Sequence, residues 1–89
     1  MQTYHRYQDG VAKPGALIVK LYHSGDEIRG YIRRVAGKGE DDAIFPGEEM
    51  EPLVAFRMAE NKIRSPEEGP IYVELAEGLR WNPHWGTLV

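Results

Sequence analysis

Eighty-nine residues, 42% of them apolar and 28% charged, bound a single globular domain of residues 1–89 with no room for a second core. The chain has no cysteine, which removes disulfides, thiol catalysis and cysteine metal sites and makes reduced cytoplasm its simplest setting. A net charge of −3 argues against strong non-specific binding to nucleic acid, which is driven by phosphate neutralisation. No run approaches the roughly 18 apolar residues of a membrane span, and the first residues hold no apolar leader.

The charge is unevenly spread. Residues 1–39 carry seven Lys/Arg against three acids, or +4, and residues 40–89 carry four against eleven, or −7. Two halves this short fold together and partly neutralise each other, yet a dipolar chain still presents one basic face.

Residues 1–14 read as an N-terminal arm or, over Tyr4 to Gln8, as an edge strand. Gly15 to His23 is rich in β-branched and aromatic types and predicts a strand; Glu27 to Val35 predicts a second. Ser24-Gly25 suits a two-residue hairpin turn between them. That turn sets Leu21 opposite Ile28, Val19 opposite Gly30 and Leu17 opposite Ile32, so the large aliphatics share one face. A three-residue loop would set Leu21 opposite Arg29, and the even register is preferred. The other face then carries Ile18, Lys20, Tyr22, Arg29, Tyr31 and Arg33. Lys20 falls opposite Arg29 there, an unfavourable pairing that calls for negative charge nearby, with Glu27, Glu74 of a neighbouring strand or an external anion as candidates.

Gly37 to Asp42 reads as a polar loop, ended by Ala43-Ile44-Phe45 and a turn at Pro46-Gly47. A helix is expected to start between Glu48 and Pro52 and to end near Arg64. Glu48, Glu49 and Glu51 at its start, with Lys62 and Arg64 at its end, would complement the macrodipole. Ala55, Phe56, Ala59 and Ile63 have the spacing of a buried stripe, and Glu60 and Arg64 that of a surface ion pair. Ile71 to Leu75 alternates as a half-buried strand does. Leu79-Arg80-Trp81 and Thr87-Leu88-Val89 are candidate short strands around a turn at Asn82-Pro83. The sum is an α+β fold: a small, mostly antiparallel sheet with one helix packed on one face.

Two clusters stand out as candidate binding surfaces. Arg80, Trp81, His84 and Trp85 gather both tryptophans, a cation and a histidine around one proline turn. Trp and Arg dominate contact hot spots; two indoles are equally what a small domain uses to close its core, and the second reading is preferred. If the cluster binds, the contact should come from Arg80, His84 and one exposed tryptophan edge. The second cluster, Lys20, Tyr22, Arg29, Tyr31 and Arg33, interleaves bases with aromatics on a sheet face, as several single-strand nucleic-acid binders do. A solvated face, or one covered by Tyr4, Arg6 and Tyr7, explains it as well.

Catalytic and metal sites are not expected. His23, Ser24 and Asp26 are triad types, but neighbours at a hairpin tip cannot converge as nucleophile, base and orienter. Gly37-Lys38-Gly39 lacks the spacer and the Ser/Thr of a P-loop. Glu40, Asp41, Asp42, Glu48, Glu49 and Glu51 match no calcium loop and read as a solvated run that would suit a basic protein surface. The expected protein is a cytoplasmic interaction module without cofactor, leaning non-enzymatic, its partner another protein or a second copy of itself. Single-stranded nucleic acid is the alternative ligand, and an enzyme fragment or subunit with a polar pocket around His84 or His23 is the third reading.

Overall fold

In the computed structural model, which describes residues 3–8, 10, 13–37, 43–63 and 70–89, a long hairpin anchors the sheet. Its strands are β2 (Leu17–Ser24) and β3 (Glu27–Arg34). The turn is Gly25-Asp26 and not Ser24-Gly25, because Ser24 pairs with Glu27. Gly25 has φ +62° and Asp26 does not share the positive φ, so glycine takes the first central position. The expected turn would have placed Ser24 there, where a side chain is strained.

The register therefore slides by two residues. Leu21 faces Gly30, Val19 faces Ile32 and Leu17 faces Arg34. An even slide keeps every side chain on its expected face. It also separates the two cations: Lys20 lies opposite Tyr31, and Arg29 opposite Tyr22.

The sheet is larger than expected, and mixed. Four further strands are β1 (Thr3–Arg6), β4 (Ala43–Met50), β5 (Tyr72–Leu75) and β6 (Thr87–Leu88). The spatial order is β4-β3-β2-β5-β1-β6. Only β3 runs against its neighbours; β2, β5, β1 and β6 are mutually parallel. Thr3–Arg6 is thus an interior strand and not an edge, since β1 lies between β5 and β6. Leu79-Arg80-Trp81 is not a strand.

The stretch expected to turn at Pro46-Gly47 instead continues as edge strand β4 up to Met50. Proline is tolerated on an edge, where its missing N–H faces no partner strand. The register with β3 shifts between Gly30 and Ile32 to take up the extra length. Glu48 and Glu49 consequently belong to β4, and helix α1 (Pro52–Lys62) has no acid in its first turn. Pro52 occupies the first turn, where no intrahelical bond is lost. The helix closes at Lys62, and Ile63 is its C-terminal cap. The expected Glu60–Arg64 pair lies outside the described residues.

Ala55, Phe56 and Ala59 bury the inner face of α1 against Leu17, Val19, Leu21, Ile32 and Val73. The approach is close at Gly30: a β-carbon there would lie 2.7 Å from Leu21 Cδ2, 3.1 Å from the Lys20 carbonyl and 3.7 Å from Ala55 Cβ. Leu21 can rotate, but the backbone carbonyl cannot. Gly30→Ala is expected to lower unfolding free energy by about 1–3 kcal/mol through overpacking, read from the urea midpoint at unchanged slope.

Candidate functional site

The C-terminal aromatics are half-buried and pack against the core. Tyr4 of β1 is buried and stacks on Phe56 of α1 with ring centroids 4.4 Å apart. Trp81 meets both rings edge-on, at 6.0 Å from Tyr4 and 5.6 Å from Phe56. Trp85 completes the group at 5.2 Å from Trp81 and 6.4 Å from Phe56. The backbone holds the indoles in place. Pro83–Trp85 form one 3-10 turn whose first amides are satisfied by Asn82: its side-chain oxygen accepts from the His84 N–H, and its carbonyl from the Trp85 N–H. Trp81 Nε1 donates to the Gly86 carbonyl at 3.1 Å, which uses the indole's one donor.

Within this group the Tyr4 hydroxyl donates to Glu60 Oε1 at 2.7 Å. Burial first, then the Glu60 carboxylate, push its pKa above the ordinary value of 10.0. The protonated hydroxyl thus favours the folded state fully below pH 10, and that stability is lost as pH rises through the elevated value. Tyr4→Phe is expected to cost about 1.5–3 kcal/mol at neutral pH, the range for a hydrogen bond to a charged group. In melts taken above pH 10, the same variant should lose less stability with pH than the unsubstituted protein.

The four residues of the first candidate cluster are therefore divided. Trp81 is scaffold. Arg80 and His84 are exposed and line neither cleft described below. Trp85 alone presents an edge to a concavity, an open cleft of about 280 Å³. Its other walls are Ile28 at the start of β3 and Pro52 and Leu53 at the start of α1, with Glu27, Arg29 and Glu51 around the rim. Leu53 is 54% exposed and Val54 beside it 44%. Sequence reading passed over this pair, although the wheel held the signal: two large aliphatics off the buried stripe of Ala55, Phe56 and Ala59. A second cleft, of about 240 Å³, lies between Arg6, Tyr7, Gln8, Val73 and Leu88. Neither cleft is lined by a histidine.

The second candidate cluster does share one sheet face, but its cations are occupied. Glu74 of β5 lies beside Lys20 in the parallel register and holds both Lys20, at 3.2 Å, and Arg33, at 3.3 Å. Arg29 pairs with Glu27. The Arg33 guanidinium also sits over the Tyr7 ring, 5.4 Å from its centroid. Tyr22 and Tyr31 tilt against each other at 5.9 Å, and desolvation with the Glu49 carboxylate raises the Tyr22 hydroxyl's pKa. A phosphate chain would have to displace Glu74 and Glu27 before reaching these cations. In a titration with single-stranded oligonucleotide at low salt, the amides of Lys20, Tyr31 and Arg33 are expected to keep their positions.

Among the described residues no group of three metal-ligating side chains converges. No helix of the described residues is long and apolar enough to cross a membrane. Comparison with protein families, with curated proteins and with solved structures finds no match for the chain.

Proposed function

We propose that the chain is a cytoplasmic protein-interaction module whose working surface is the start of α1 with the adjoining cleft, and not an enzyme. The observation that carries this reading is the exposure of Leu53 and Val54 beside the cleft walled by Ile28, Pro52 and Trp85. Each exposed aliphatic taken singly is ordinary; Leu53 is itself a wall of an aromatic-lined cleft with charged residues around it, and Val54 extends the exposed apolar area of the helix next to it. Trp85 supplies the rigid wall, since its ring is braced by Trp81 and Phe56. The rim carries two carboxylates, Glu27 and Glu51, against one cation, Arg29, which Glu27 already holds. The favoured contact is thus an apolar anchor with a cation next to it. A cysteine-free chain suits a reducing compartment.

Short peptides presenting Leu or Phe next to Arg are the probe, with Glu-substituted versions as controls. In proton–nitrogen and methyl spectra the basic peptides should move the Trp85 indole and Leu53 methyl signals, and the acidic ones should not. Leu53→Ser should remove the response while leaving the melting temperature in place, because this side chain is half in water. Signals of Trp85 and Leu53 that stay put with every peptide, and do not change on dilution, would overturn the reading.

A further inference from the structure

We infer that the partner of this surface is a second copy of the chain, joined through the outer face of α1 across a two-fold axis; the inference rests on the interaction surface proposed above. The exposed residues of the helix are Leu53, Val54, Arg57 and Asn61, on the side away from Ala55, Phe56 and Ala59. Glu51, also exposed, stands at the N-terminal cap and makes no capping bond with its side chain. The apolar pair is therefore bracketed by one acid and one base. Neither of these charges has a side-chain partner among the described residues.

That bracket is complementary to itself in one orientation only. Glu51 and Arg57 are six residues apart, about 9 Å along the axis. An antiparallel copy centred on Val54 sets Val54 against Val54 with Leu53 alongside. It brings Glu51 against the partner's Arg57, and symmetry repeats the pair. A parallel copy would instead oppose like charges. The antiparallel arrangement also opposes the two helix dipoles favourably. A foreign partner would need its own acid and base at matching spacing, which the second copy has by construction.

Sedimentation velocity over a concentration and salt series, on the full chain, tests this. The unsubstituted protein should form dimers that weaken as salt rises. E51R and R57E should each weaken dimerisation by about tenfold or more, as like charges then meet twice. Mixing the two single variants should restore association as a heterodimer, and the double variant E51R/R57E should restore the homodimer. Both sites are exposed, so melting temperature serves as the folding control. E51R puts a cation at the helix N-terminus, whereas R57E leaves that end unchanged and instead sets a glutamate three residues before Glu60, so the two reversals perturb the helix in different ways and a shared loss of dimer points to the interface. A protein that stays monomeric to millimolar concentration, or a dimer indifferent to both reversals, overturns the inference. If such a monomer still binds the basic peptides at Trp85 and Leu53, the interaction surface stands and only its partner is foreign. If it binds none, both fall together.

Discussion

One eleven-residue helix must cover the inner face of a six-stranded sheet, and the rest of the fold follows from how that is done. Close approach is obtained with small residues. Ala55 and Ala59 face the sheet, and Gly30 lies beneath the first of them. Close docking leaves the β1 side of the sheet uncovered, since α1 contacts chiefly β2 and β3. Tyr4, Trp81 and Trp85 fill that gap by packing on Phe56, the one aromatic of the helix that reaches them. The proline turn is tied down by hydrogen bonds at Asn82 and Gly86, the second of them from the Trp81 indole.

Much of this was legible because alternation and helical period are local signals. The two faces of the hairpin, the inward stripe of α1 and the strand around Val73 all follow from side-chain spacing. What escaped depends on distant partners. Nothing in Thr3–Arg6 says that it lies between β5 and β6, because parallel neighbours are set by crossovers and not by adjacency in sequence. Pro46-Gly47 is a strong turn signal, and it misleads here because an edge strand tolerates both residues. The hairpin turn was misplaced by one residue since Ser-Gly and Gly-Asp are both turn dipeptides; the pairing of Ser24 with Glu27, with positive φ at Gly25 alone of the two turn residues, distinguishes them.

Part of the charge split of the sequence is met inside the sheet. Glu74, from the acidic half, sits between Lys20 and Arg33, from the basic half. Long-range attraction between the halves thereby becomes a local clamp between β5 and the hairpin. Glu51 and Arg57 are different, being opposite charges on one helix that find no such clamp within the described chain.

The outermost strands set a limit on how such a domain can grow. At one side β6 is two residues long, and at the other β4 carries a proline and a broken register against β3. Neither offers the uninterrupted ladder of amides and carbonyls on which another chain could template itself. Strand addition would give an open series with no natural end, and both margins of this sheet discourage it. A two-fold contact through the outer face of α1, as proposed, would close after one step, so geometry and not supply would fix the number of molecules joined.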